Sequence, residues 1–405
     1  MVRVKLASGL AHMALWLLAV MTLSAGYAPA AFAKNVVKIC AVLPTSGPAA
    51  AIGIGMMNSM DLAAKQINAS GKLGDIEIEL LKLDDGSQAS MGMNAVLKAV
   101  SDPAVLACSA HFNSPVALAT QDVFHRNGIA NLVPAAIIGK LTAEQKGDEI
   151  FRIAPPDVWQ ISMAAKFPLA MAGKRFFLID DSTQYGKSLV SEMEKNAVKE
   201  GGEKVGADSI AVGEKDFTAI LTKAKGLNPD FIFFGGVTTE AALIRQQMVK
   251  LGIKALFYTG SGVISPTYIS IAGPAGEGTY GYFYGLPYQA YPGGKKFVDD
   301  YAKGGYDKPF ETYGLWAYAS IEVLAEAAKR ANAKGTLTRR GIIDELKTGE
   351  FPSILGEVSF PRPGDIKQRV IAYYGVKDGK WTMTHKSDEN GKVIKLDTPV
   401  PLDAN

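Results

Sequence analysis

The feature that most restricts how this chain folds is a regular alternation of strand-length apolar runs with segments of helical period. Residues 36–43 form a continuous apolar run, closed by Pro44-Thr45-Ser46-Gly47-Pro48. Met57, Met60, Ala64 and Ile67 then recur at helical spacing as far as Gly71. Ile76, Ile78 and Leu80 alternate with Glu77 and Glu79, the pattern of a half-exposed edge strand. A helix over 94–100, a strand over 105–110, a helix opening near Pro115 and a short strand over 130–133 follow. A βαβαβ series of this kind builds a parallel sheet wound by helices on both faces.

The series restarts after Pro155-Pro156, with strands over 175–181, 204–211, 231–234 and 256–259 and helices over 188–199, 217–224 and 240–250. The last third offers helices over 295–303, 315–331 and 339–347. Strand-like stretches over 368–374 and 380–384 flank the hairpin signal Asp378-Gly379. These pieces complete the two halves already begun rather than add a third domain, which requires the chain to cross between halves more than twice. No fixed short repeat runs along the chain, so a solenoid is not expected.

Arg3 and Lys5 precede an apolar run from Met13 to Leu23, and Ala31-Phe32-Ala33 offers an A-x-A cleavage site. Residues 1–33 therefore read as a secretory signal peptide whose apolar core is too short to span a bilayer. No cysteine follows that run to carry a lipid. Loss of Arg3 and Lys5 from 43 basic residues leaves 41 against 40 acidic ones, a balance with no electrostatic footprint for nucleic acid. The about 370 residues that remain exceed what one hydrophobic core organises, so two domains are expected. Cys40 and Cys108 each lie in an apolar strand-like run. An oxidising compartment permits a disulfide, but buried free thiols are the simpler expectation.

In open parallel sheets, ligands bind outside the carboxyl ends of strands, where the strand order reverses. With a strand order of 2-1-3-4-5, the segments bordering that crevice are Pro44–Pro48 and His111-Phe112-Asn113-Ser114-Pro115. Ser114 followed by Pro115 reads as a helix N-cap and first helical position, an arrangement that favours an anion. Ser114 acts there either as a ligand contact or as a plain cap. The second half presents 180–186, with Tyr185 as an aromatic wall or a loop cover, and 235–240.

Chemistry is poorly signalled. His111, His125 and His385 lack metal-type spacing, and no nucleophile elbow, phosphate loop, C-x-x-C or H-E-x-x-H occurs. Gly276–Gly281 matches G-x-G-x-x-G without the strand-to-helix context that motif needs. Asp84-Asp85 reads as a solvated strand end. No metal, cofactor or enzymatic activity is expected.

The stretches Ser46-Gly47-Pro48, Leu83-Asp84-Asp85, Pro134-Ala135-Ala136, Gln184-Tyr185-Gly186, Gly213-Glu214-Lys215-Asp216-Phe217 and Phe234-Gly235-Gly236 together resemble the periplasmic leucine/isoleucine/valine-binding protein family. These are the type I solute receptors of ABC importers. The resemblance runs from about residue 36 to 379. It implies an α/β fold of two Rossmann-like lobes joined by three crossovers and closing on a small molecule by hinge motion. One lobe would hold 34–153 with 285–357, the other 154–284 with 358–405. It further implies a periplasmic monomer that delivers its ligand to membrane permease subunits.

Carried over by position, the family's carboxylate-binding serine falls on Ser114, its backbone contact on Ala135 and its second-lobe tyrosine on Tyr185. The family's amino-group contacts fall on Ile137, Val237 and Ser261, and a first-loop aromatic falls on Ile52. The family's cysteine pair falls on Ser87 and Asn113, so that disulfide is absent. Burying an ammonium without a counter-ion is costly. The replacements therefore point to a carboxylate with an apolar or aromatic body and no amino group, with Phe112 and Trp159 offering stacking surface. A branched-chain or other neutral amino acid, or a ligand-sensing module in place of a transport receptor, are the alternatives.

Overall fold

A computed structural model describes residues 34–361, 364–388 and 390–402. Its first half runs β1 (Asn35–Leu43), α1 (Ala50–Ala69), β2 (Ile76–Asp84), α2 (Ala89–Ser101), β3 (Val105–Ala110), α3 (Ser114–Arg126), β4 (Ala130–Val133), α4 (Lys140–Ala143) and β5 (Ile150–Arg152). These strands form one sheet in the order β2-β1-β3-β4-β5, and β1, β3, β4 and β5 pair in parallel. Ile39 to Leu43 are all buried in β1, as a central strand covered on both faces demands. In β2 only Ile76 and Ile78 are buried while Glu77 and Glu79 face solvent, so alternation and edge position agree.

The second half runs α5 (Asp157–Ala164), α6 (Lys166–Met171), β6 (Arg175–Asp180), α7 (Gln184–Lys199), β7 (Glu203–Ser209), α8 (Thr218–Leu227), β8 (Phe231–Gly235), α9 (Thr238–Lys250), β9 (Leu256–Thr259), α10 (Pro266–Ala272) and β10 (Thr279–Phe283). The chain then supplies α11 (Gly294–Lys303), α12 (Gly314–Ala333), α13 (Arg339–Thr348), the paired strands β11 (Glu350–Ser353) and β12 (Gly356–Ser359), and finally β13 (Ala372–Lys377), β14 (Lys380–Ser387) and β15 (Val393–Pro401). The second large sheet is ordered β15-β14-β13-β10-β9-β8-β6-β7. Its members β7, β6, β8, β9 and β10 are parallel and repeat the 2-1-3-4-5 order of the first sheet. The last three strands add on in antiparallel fashion.

The late helices serve the first sheet. α12 packs along α1, and Ser320 on α12 meets Ser109 of β3 through their hydroxyls at 2.8 Å. The chain thus leaves the five-stranded sheet after β5, returns after β10 and leaves again before β13. A buried ion pair braces the first and third of these passages. Arg152, fully buried, donates to Asp365 from Nε at 3.0 Å and from Nη2 at 2.6 Å, and from Nη1 to the Ile138 carbonyl. Backbone bonds from Arg152 to Gly364 and from Ile366 back to Arg152 continue the brace.

The free-thiol expectation for Cys40 and Cys108 is corrected: the two form a disulfide. They stand directly opposite one another in the β1–β3 register, with Cα atoms 4.4 Å apart, inside the bridging range. Register between strands is not written in local sequence, which is why spacing alone did not reveal the bond. The signal-peptide reading of 1–33 lies outside the described residues. Among the described residues no helix is long and apolar enough to cross a membrane.

Candidate functional site

The carboxyl ends of the two large sheets face one another across a cavity of about 120 Å³. From the first sheet, the turn after β2 is built by Asp84 and Asp85. Asp84 accepts from the backbone N–H groups of Thr45, Ser46 and Gly86 and from the Ser46 hydroxyl. These bonds draw the loops after β1 and β2 together, and a Cβ at Gly47 (φ 77°) would lie 2.6 Å from the Gly86 carbonyl oxygen. Only glycine fits there. Asp85 is fully buried and bonds His111 Nδ1 at 2.8 Å, while His111 Nε2 meets Thr120 Oγ1 at 3.0 Å. The reading of this carboxylate pair as a solvated strand end is therefore corrected for Asp85, which is buried, while Asp84 ends β2 partly exposed and fastens loops.

The helix reading at Ser114 shifts by one residue. Asn113 is extended (φ −83°, ψ 127°) and is the N-cap, Ser114 is the first helical residue, and Asn113 makes no capping bond. The first turn of α3 thus opens onto the cavity with no side-chain cap, the arrangement in which helix N–H groups donate to an anion. Ser114 is 2 % exposed and lines the same wall.

Facing it, the loop after β6 carries Asp181, whose Oδ1 accepts from the Thr183 N–H and hydroxyl. Burial raises its pKa, and the charges of Glu240 and Asp180 push the same way. Tyr185 accepts a bond from the Gly262 N–H at 3.2 Å, and burial pushes its phenol well above the ordinary value. Asp157, also raised by burial, accepts from the Gly139 N–H on one side and the Ser188 hydroxyl of α7 on the other, bridging the loop after β4 to the second sheet's helices.

Of the residues singled out from sequence, Ser114, Ala135, Ile137, Tyr185, Val237, Ser261, Phe112 and Asn113 all line this cavity. Ile52 and Trp159 do not. α1 begins at Ala50, so Ile52 falls in its first turn with its side chain in the core, and Pro48 and Ala49 occupy the wall instead. Trp159 sits on α5 under the Arg369 guanidinium, 5.6 Å from its ring centre. The wall also contains Tyr313, Ser87, Asp181, Thr183 and Val212, which sequence reasoning did not select. Tyr313 arrives from the connection before α12, far from any strand end, and its ring meets that of Phe112 edge-on at 5.2 Å. Its position had no local signal. Asp181 and Thr183 lay within the same loop as Tyr185 and were legible as strand-end residues.

This arrangement, two like sheets with a ligand-sized cavity between their switch points, is that of a two-lobed solute-binding protein. Residues 36–380 match the periplasmic binding protein family, and the chain belongs to it. The family comprises solute receptors, not enzymes. A Leu/Ile/Val-binding protein homolog 1 of Brucella suis is 32 % identical over 327 residues, covering 80 % of this chain and 86 % of that protein. The leucine-binding protein LivK of Thermotoga maritima is 27 % identical, with a TM-score of 0.80 over 88 % of this chain and all of that one. A benzoate-bound solute-binding protein of R. palustris, at 19 % identity, shares the fold with a TM-score of 0.77 over 86 % of this chain and 95 % of its own.

Proposed function

We propose that this protein is the exported periplasmic receptor of an ABC importer and captures a small carboxylate with an apolar or aromatic body. Lobes of residues 34–153 with 285–357 and of 154–284 with 358–405 close on it and present it to the membrane permease subunits. The receptor works as a monomer. The observation that carries this reading is the composition of the cavity wall. Ser114 and the uncapped α3 N-terminus form an anion-seeking end, while Ile137, Val237, Phe112 and Tyr313 make the rest largely apolar. A cavity of about 120 Å³ is of the same order as the ~150 Å³ apolar protein cavity that takes benzene, which limits the ligand to a small body.

One observation favours a branched-chain amino acid instead. Asp181 stands in the wall as an acid that an ammonium group would neutralise, and relatives carry leucine-, isoleucine- and valine-binding names. Its Oδ1 is already engaged by the Thr183 N–H and hydroxyl, which supports the amine-free ligand.

Thermal-shift screening of benzoates, cinnamates, short fatty acids and neutral amino acids separates the two. A ligand at a hundred times its Kd stabilises by ~2.7 kcal/mol, a clear shift. Stabilisation by leucine or valine with none by aromatic or aliphatic acids would sink the amine-free reading.

A further inference from the structure

Asp157 is fully buried and lies outside the cavity wall, yet it holds two parts of that wall in place. On one side, its N–H donates to the Ile137 carbonyl at 2.8 Å, and its Oδ1 accepts the Gly139 N–H at 2.9 Å. These bonds fasten the loop after β4, whose Ala135 and Ile137 line the cavity. On the other side, Oδ2 accepts the Ser188 hydroxyl at 2.7 Å. Ser188 stands three residues beyond Tyr185 on α7, within one helical turn of that wall residue. Oδ1 also accepts the Val158 N–H at 2.7 Å, which fixes the carboxyl to the start of α5. Space between the loop and α5 is short as well. A Cβ at Gly139 would lie 2.6 Å from the Val158 side chain.

Three donors on two oxygens leave this carboxyl one orientation, and each bond is costly to break in a buried setting. Asp157 follows directly on Pro155-Pro156, at the first passage of the chain between the two large sheets. Wall residues before that passage and after it are therefore referred to a single side chain. The distance between the Ile137 wall and the Tyr185 wall depends on both arms of the carboxyl, toward Gly139 and toward Ser188. Loss of either arm lets one wall drift, and displacements well under a bond length already weaken a fitted site.

We propose that Asp157 is a positioning residue of the binding site, whose carboxyl fixes the Ala135–Ile137 wall against Tyr185 and so sets ligand affinity without touching the ligand. This role rests on the reading of the cavity as the ligand site and is independent of whether the ligand carries an amino group.

Calorimetric titration of the full chain with benzoate and with leucine tests it, alongside melting curves of each ligand-free variant. Asp157→Ala should raise the Kd of the probe that binds by about tenfold or more. Asp157→Asn should stay within about threefold of the unaltered protein, because its amide oxygen still accepts and its amide N–H can donate to the Ser188 oxygen. Ser188→Ala cuts the α7 arm alone and should raise Kd by less than Asp157→Ala. Adding Ser188→Ala to Asp157→Ala should cost nothing further, since both remove the same bond. A group that only braced the fold would lower the melting temperature and leave the Kd of the folded protein unchanged. An unchanged Kd in Asp157→Ala, losses that simply add in the double variant, or an Asn variant as weak as the Ala variant would each overturn the proposal. If Asp157→Ala folds poorly, Ser188→Ala decides, and a Kd equal to that of the unaltered protein overturns it. Binding of leucine without binding of benzoate sinks the amine-free reading alone, and the same comparisons on leucine then decide the role of Asp157.

Discussion

Tyr313 donates its phenolic hydrogen to the backbone carbonyl of Ser261 at 2.6 Å, joining the connection before α12 to the loop after β9. Thr312 repeats the gesture to the Ile264 carbonyl at 2.5 Å, and Glu311 accepts from the Thr267 hydroxyl at 2.9 Å. Three consecutive residues from the first sheet's layer thus fasten onto the second, beside the cavity. Under the proposed hinge motion these bonds form only on closure, which ties them to ligand retention.

Tyr313→Phe keeps the ring against Phe112 and deletes the bond to Ser261. Leaving that buried carbonyl unmatched should weaken binding by ~1–2 kcal/mol, read as a roughly 5- to 30-fold rise in Kd by calorimetry. An unaltered Kd would mean that the latch does not contribute to closure.

Under the proposed closure, Glu311 should make ligand binding pH-dependent. Its carboxyl is buried, with Oε2 unmatched, and desolvation raises its pKa to about 7 against an ordinary 4.5. The polar groups around it are the Thr267 hydroxyl, which favours the ionised form, and the Tyr301 phenol, itself raised by burial. A raised carboxyl pKa means this buried state prefers the protonated acid, and the proposed opening would return the carboxyl to solvent. Closure therefore takes up a proton between these two values, and affinity should rise as pH falls from about 7 toward 4.5. Glu311→Gln should flatten that slope. A slope unchanged in the variant would assign the effect to another group.

Ser114→Ala should weaken carboxylate binding by ~1–3 kcal/mol with little change in melting temperature, since Ser114 is not the cap of α3. Equal affinity for the variant would reduce Ser114 to a plain first-turn residue.

The Cys40–Cys108 bond closes a loop with a sequence separation of 68 residues. Chain-entropy arguments assign ~4 kcal/mol to a loop of that length. Urea unfolding with and without reductant, or of the Cys40→Ala/Cys108→Ala double variant, should show a loss of that order. No change in midpoint would contradict it.

Asp365→Asn leaves Arg152 buried beside a neutral partner and should destabilise by ~3–5 kcal/mol in the same assay. A paired replacement, Arg152→Met with Asp365→Leu, should cost less than the single one, because it strands no charge. The reverse ranking would argue against a brace between the passages.

Fully apolar strands were the legible part of the fold. The expected 105–110, 130–133 and 256–259 coincide with β3, β4 and β9, because these short runs are mostly apolar and fully or nearly fully buried. Helix starts came late. α1 begins at Ala50 and α7 at Gln184, where small and polar first-turn residues carry no amphipathic signal. β15 was invisible because most of its residues are exposed or partly so. In the site, residues at strand ends were recoverable by topology, whereas Tyr313 reaches the wall only through long-range folding. Trp159 lies outside the cavity wall, because aromatic character alone does not say which way a helix faces.

The margins of the two large sheets carry a consequence for a protein that must stay dispersed while crowded. An open strand edge is a template on which another chain can pair. Here β2 ends its sheet with exposed Glu77, Glu79 and Lys82, β7 carries exposed Glu203 and Lys204, and β15 carries exposed Lys395 and Asp397. The remaining margin, β5, is covered by the backbone at 364–366. Two copies meeting edge to edge would bring charges together or find the ladder already occupied. Edge-to-edge adhesion between copies is thereby opposed at each of the four margins, independently of whether the lobes are open or shut.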